Sequence, residues 1–331
     1  MASGGEDHKG CAALCCLSPP MGEPLFPQEL EREIFEHTAL MHRGTIPTLL
    51  RVARRVLTWI EPLLYRVIKV GIGHEHMVQA LLNLSKGART PHFLHKAVHH
   101  LALDHVSLDE GTEILRLCSG VINFACSTQL VDPSFVPILA ELGVQRLALC
   151  LQALFGGAPI DLTHSLFRSV THLDVLGVVG VESALVEISA LPALTHLCLD
   201  PAMPWDVLTK VLEDCPRLEL LLVQWSIYNE AQYISAQEPC LYDLRLVIGL
   251  YYGYWEEWEA EANGVPVYWA EADDFVARKR RGETEATRYW IHQEVSRILI
   301  GHIDEHTSHN LPTPSDSPER TSETPTPHYT T

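Results

Sequence analysis

Thr171-His-Leu-Asp-Val175 and Thr195-His-Leu-Cys-Leu199 are two copies of one pattern, a polar pair followed by apolar residues two positions apart. Alternation of this kind marks a strand that buries one side. Reading outward from these two, the pattern returns at His99-His-Leu-Ala-Leu103, Val121-Ile-Asn-Phe124, Gln145-Arg-Leu-Ala-Leu149, Glu219-Leu-Leu-Leu-Val223 and Tyr242-Asp-Leu-Arg-Leu246. Anchored on Leu101, Phe124, Leu147, Leu173, Leu197, Leu221 and Leu244, it recurs every 23 to 26 residues. Each strand is followed by a second apolar stretch, as in Trp205-Asp-Val-Leu-Thr-Lys-Val-Leu212, where Val207, Leu208, Val211 and Leu212 fall at helical spacing. One such strand, loop and helix cannot bury its own apolar face, whereas stacked units share a core. The spacing therefore predicts an α/β fold, a curved parallel-sheet solenoid over residues 96–250, with the anchors side by side in sequence order.

The residues that alternate with the anchors point to the other side of that sheet. They supply a candidate substrate face made of His100, Asp104, Asn123, Arg146, His172, Asp174, His196, Asp243 and Arg245, interleaved with Ala102, Ala125, Ala148 and Cys198. A small, polar surface of mixed charge suits a protein or peptide ligand better than a small molecule, which calls for a deep apolar cleft.

Ahead of the repeats the pattern is helical and carries no strand-like alternation. Ile34, Phe35, Leu49, Leu50, Val52, Val56, Trp59 and Ile60 recur at helix-like spacings. Pro27 opens a first helix with Glu29, Glu31 and Glu33 in its early turns, Pro47 opens a second, and Pro62 kinks or restarts the helix that contains it. Through Leu25-Phe-Pro-Gln-Glu-Leu-Glu-Arg-Glu-Ile-Phe35, Leu49-Leu-Arg-Val-Ala-Arg-Arg-Val-Leu-Thr-Trp59 and Glu61-Pro-Leu-Leu-Tyr65 the chain resembles the F-box-like proteins of mushroom-forming fungi. It departs from the commoner pattern at Phe26, where a proline usually sits, and at Ala53, where a cysteine often does. The resemblance implies a three-helix F-box-like motif over residues 25–70, a helical linker over 71–95 and divergent leucine-rich-like repeats beyond. It also implies a Skp-type adaptor as partner, through it a cullin, and an unknown protein substrate held by the repeats. The adaptor contact falls on Leu25, Pro27, Leu30, Ile34, Leu50, Val56 and Trp59, with Trp59 the anchor, unless these residues serve the motif's own packing. Two functions follow: substrate receptor of a Skp-cullin-F-box ubiquitin ligase, or a leucine-rich scaffold whose helical block only caps the solenoid.

Composition narrows the field. With 42 acidic against 24 basic residues the chain carries a formal charge of −18, which repels a phosphate backbone, so no nucleic acid is expected. Cys11-Ala-Ala-Leu-Cys-Cys-Leu17 is too short to span a membrane, and no membrane partner is expected. Cys118, Cys126, Cys150, Cys198 and Cys215 lie in apolar stretches, which suits reduced core thiols and a cytoplasmic or nuclear protein. His95, His99, His100 and His105 could present two imidazoles to a metal, but His100, His172 and His196 each stand one residue before an anchor, on outward strand positions. No metal site and no cofactor are expected. No Gly-rich phosphate loop, Gly-x-Ser-x-Gly elbow or His-Glu-x-x-His motif occurs, so a non-enzymatic role is expected. The segment Tyr251-Tyr-Gly-Tyr-Trp-Glu-Glu-Trp258 reads as part of a cap over residues 251–306, or as a partner patch. Residues 1–24 and 307–331 read as disordered ends, and Arg278-Lys-Arg-Arg281 as an import signal or a solvated helix face.

Overall fold

The computed structural model describes residues 26–71, 75–86, 92–177, 181–185, 187–225, 242–251 and 253–291. The expected disordered ends, and Leu25, lie outside the described residues.

Eight strands form one open parallel sheet in strict sequence order: β1 (Val67–Val70), β2 (His100–Leu103), β3 (Asn123–Cys126), β4 (Arg146–Leu149), β5 (His172–Val175), β6 (His196–Leu199), β7 (Leu220–Trp225) and β8 (Leu246–Leu250). Parallel neighbours need a crossover between them, and the apolar stretch after each strand provides it. The anchors Leu101, Phe124, Leu147, Leu173, Leu197 and Leu221 are direct register partners from strand to strand. They form a row whose members are each at most 2% exposed, and burying a leucine side chain to that degree contributes about 2 kcal/mol.

Two expectations need correction. The row ends on Leu246 and not on Leu244, because Leu221 pairs with Leu246 while Leu244 lies in the preceding turn, 37% exposed. The row also begins one strand earlier, at Ile68 in β1, inside the stretch read as wholly helical. Val67-Ile-Lys-Val70 is a β-branched run in which Ile68 and Val70 are buried and Val67 and Lys69 half-buried.

The helices α1 (Gln28–Met41), α2 (Ile46–Leu49) and α3 (Arg54–Leu64) precede β1, and α4 (Glu75–Lys86) and α5 (His92–Ala97) connect it to β2. The crossovers contain α6 (Leu108–Leu117), α7 (Phe135–Leu142), α8 (Leu151–Leu154), α9 (Glu182–Leu185) and α10 (Trp205–Asp214), and two further helices, α11 (Tyr254–Ala262) and α12 (Trp269–Arg280), follow β8. The start of α6 is set by a capping box in which Ser107 Oγ accepts from Glu110 N–H and the Glu110 carboxylate accepts from Ser107 N–H. α7 stops at Gly143, whose φ of 65° is the left-handed C-terminal conformation that glycine adopts without strain. In α10, Leu208, Val211 and Leu212 face the core as their spacing implies, with Val207 packed at its margin.

The N-terminal helices have a small core of their own, Ala39, Ile46, Val56 and Ile60, and Arg55 clamps α3 to α1 through two bonds to Glu31 at 2.6 and 3.0 Å. Pro62 sits within α3, which ends two residues later, at Leu64. The block is seated against α5 by Tyr65, just past α3, whose ring meets Phe93 edge to face at 5.2 Å. Among the described residues no helix is long and apolar enough to cross a membrane.

Candidate functional site

The outward residues fall into two rows. One runs Val67, His100, Asn123, Arg146, His172, His196, Leu220, and the other Lys69, Ala102, Ala125, Ala148, Asp174, Cys198, Leu222, Val247. An open substrate face was expected here, but α11 and α12 lie across it. Trp258 and Ala262 of α11 pack on the row of Ala102, Ala125 and Ala148, where small side chains leave room for an indole. Tyr268, Trp269, Ala272, Phe275 and Val276 pack on Cys198, Leu220, Leu222 and Val247. Asn123, Asp174 and His196 are consequently buried. The gap left between helices and sheet, lined among others by His172, Asp174, Trp258 and Trp269, measures only about 20 Å³, room for about one water. Within the segment read as a cap, α11 and α12 cover a face of the sheet. The apolar area of four aromatic rings is the physical reason.

Polar residues under the helices are joined in two groups. Asp174 accepts from Tyr254 O–H at 2.9 Å and Tyr268 O–H at 2.8 Å, and burial raises its carboxyl to about 6. The Tyr268 oxygen also lies 2.9 Å from Gln224 Oε1 and 3.0 Å from Cys198 Sγ, a thiol that burial pushes well up and keeps protonated. In the second group His172 and His196 stack, Trp269 stands edge-on to both, and His196 Nε2–H donates to Asp273 Oδ1 at 2.9 Å. Thr171 and Thr195 hold the two Nδ1 atoms at 2.9 and 2.7 Å. Nearby, Arg146 pairs with Glu261 at 2.6 Å, and the other oxygen of Glu261 accepts from Trp269 N–H.

The remaining members of the expected face lie elsewhere. Asp104 follows the end of β2 and bonds to His105 Nδ1 at 2.7 Å. Asp243 and Arg245 precede β8 and face the helix side: the Arg245 guanidinium donates to the carbonyls of Leu212, Cys215 and Leu218 at the end of α10 and is held by Asp243 at 2.6 Å. That use of the arginine, to satisfy a helix C-terminus, is what displaces Leu244 from the anchor row.

The helical block presents a different surface. Leu30 and Ile34, one turn apart on α1, are 48% and 51% exposed, and Phe26 and Pro27, just ahead of the helix, are exposed too. Leu50 and Trp59 are half-buried against the block's core. Val56 is fully buried in that core, so it is a packing residue and not a contact residue.

Sequence reasoning passed over Arg66, Glu261 and Tyr268, and read Trp258 as part of a cap or partner patch without placing it on the sheet face. The spacing of Trp269, Ala272, Phe275 and Val276 was the available signal, since it marks an apolar helix face that needs a partner. On the basic run, Lys279 is buried and donates to Leu246 O at 3.0 Å, while Arg278 pairs with Asp274. Among the described residues no group of three or more His, Cys, Asp or Glu could hold a metal ion. No protein-family model matches the chain, and no curated protein matches it.

Proposed function

We propose that the chain is a non-catalytic substrate receptor that joins a Skp-cullin-F-box ubiquitin ligase, using the helical block as its hook for a Skp-type adaptor and holding a protein substrate elsewhere on the repeats. The observation that carries this reading is the apolar stripe of Leu30 and Ile34, with Phe26 exposed ahead of it, left open on a block that already has a core of its own. An exposed apolar stripe of this kind needs a partner, and it falls on the segment Leu25–Phe35 that resembles an F-box. Trp59 and Leu50 are half-buried against the block's own core, so Leu30 and Ile34 become the expected anchors.

The sheet face under α11 and α12 is an unsuitable substrate surface while those helices stay in place, which directs the substrate to the rim of the repeats or to their helical side. A scaffold reading is favoured by one observation, the seating of the block against α5, at the start of the solenoid, through Tyr65 and Phe93, as a cap would sit. Capture of a purified Skp-type adaptor decides between them. Wild-type protein should bind and the double substitution Leu30→Ala with Ile34→Ala should not. Folded, monomeric wild type that captures no adaptor overturns the ligase reading.

A further inference from the structure

We infer that the cleft between Arg66, His100 and Arg146 is a binding site for an oxyanion, a phosphate or carboxylate group. The cleft lies where β2, β3 and β4 begin, measures about 440 Å³, and is lined also by Met41 and by Asn263 with Gly264, after α11. That volume lies in the range of small-ligand pockets, unlike the gap of about 20 Å³ under the helices.

In a chain with a formal charge of −18 this is a place where cations gather. Burial, followed by Arg66, His99, Arg146 and Arg43, pushes the His100 imidazole down to about 3, so the ring is neutral. Its Nδ1 lies 3.2 Å from Asn123 Nδ2, and because an amide nitrogen only donates, Nδ1 accepts and the ring proton sits on Nε2. That Nε2–H is buried and, among the described residues, meets no acceptor. Buried donors are as a rule paired, and His100 lines the cleft, so an occupant whose oxygen reaches the ring edge would complete this one. The Arg66 backbone is tied to the start of β2 by its carbonyl, which accepts from both His99 N–H and His100 N–H at 3.0 Å, and its side chain lines the cleft.

Two fork-shaped guanidinium groups and one neutral N–H on a single cleft match the several lone pairs of an oxyanion. A cation or an apolar ligand would leave all three unmet. Glu261 is the acid on the wall, and its bond to Arg146 at 2.6 Å restrains the site without cancelling Arg66 and His100. The inference stands whether or not the helical block takes an adaptor, since none of these polar groups belongs to the Leu30 and Ile34 stripe.

The test is a titration of the full chain at neutral pH with inorganic phosphate, against sodium chloride at matched ionic strength, following the ring resonances of His100. Phosphate should move them saturably and chloride should not. Arg66→Gln should weaken binding at least about tenfold, the loss expected for one charge-assisted contact. Glu261→Gln, which keeps the acceptor for Trp269 N–H, should tighten it. A short phosphoserine peptide and its unphosphorylated twin identify the source. Tighter binding of the phosphopeptide than of inorganic phosphate means that the group arrives on a polypeptide, and equal binding means a free ion. The inference is overturned if neither phosphate nor phosphopeptide moves His100 saturably, or if binding is the same in wild type, Arg66→Gln and Glu261→Gln. Should Arg66→Gln fail to fold, as judged by its melting in chloride, the wild-type titration and Glu261→Gln decide.

Discussion

His172 and His196 lie face to face on neighbouring strands, their ring centroids 4.0 Å apart and their planes 8° from parallel. Two imidazolium rings at that distance would repel each other strongly in a buried site. Burial, then His196, then Arg146 hold His172 down at about 2.

The first prediction follows from that depression. The unfolded ring takes a proton near pH 6.5 and the folded ring does not, so this site's stability is complete above pH 6.5 and is lost as pH falls from there towards 2. His172→Phe keeps a flat ring and has no proton to gain. Its deficit in stability relative to wild type should shrink by on the order of 2 kcal/mol between pH 7 and pH 5. Parallel urea titrations at the two pH values measure it, and a constant deficit would refute it.

Asp174 gives the opposite slope. Its folded value of about 6 lies above the ordinary 3.8, so the stability it contributes is full below pH 3.8 and is lost as pH rises through about 6. Asp174→Asn keeps an acceptor for the Tyr254 and Tyr268 hydroxyls without the charge. Relative to wild type it should gain about 2 to 3 kcal/mol on going from pH 4 to pH 8. Thermal melts across that range check the sign, and a gain towards acid would contradict it.

In the helical block, exposure separates two kinds of apolar residue. Ile60 is fully buried, and Ile60→Ala should cost about 2 to 5 kcal/mol and lower the melting temperature. Leu30→Ala and Ile34→Ala remove side chains that are half in water, and each should change stability by no more than about 0.5 kcal/mol. Calorimetry of the three variants distinguishes packing from surface without any partner present.

Trp258 is the rivet of α11 over Ala102, Ala125 and Ala148. Trp258→Ala should cost about 3 to 5 kcal/mol. A chain ended at Tyr251 should expose Leu220, Leu222 and Val247 together and associate on gel filtration. A monomeric truncated chain with unchanged melting would show that the outer face of the sheet needs no cover.

The row from Leu101 to Leu221 was legible because every member sits in the same local pattern, and a parallel register copies that pattern from strand to strand. Leu244 imitated it: Asp243 and Arg245 flank it as outward residues would, yet they turn to the end of α10. β1 was hidden because four β-branched and basic residues follow a helix without a break, and no earlier repeat frames them. The site was less legible. Alternation tells which residues point outward but not what lies above them, and here the partner is supplied by the chain's own last helices. The alanines at positions 102, 125 and 148 were the missed hint, since three small residues in register make a trough that a tryptophan fills. The exposed stripe at Leu30 and Ile34 could be read as a partner surface, while buried Val56 could not be told from them by spacing.

The helices over the sheet also set the timing of folding. Lys69 on the first strand is held by Glu259 at 2.8 Å, and Ala102 on the second by Trp258, so the earliest strands are finished only by some of the last residues described. A growing chain emerges at about 5 to 20 residues per second, which leaves β2 without its cover for roughly ten to thirty seconds. During that interval the alanine trough and the apolar outer residues of the later strands face water or a chaperone. Synthesis should therefore be vulnerable to any pause before Tyr254, and a stalled chain should be degraded or aggregated even though every repeat it contains has already been made.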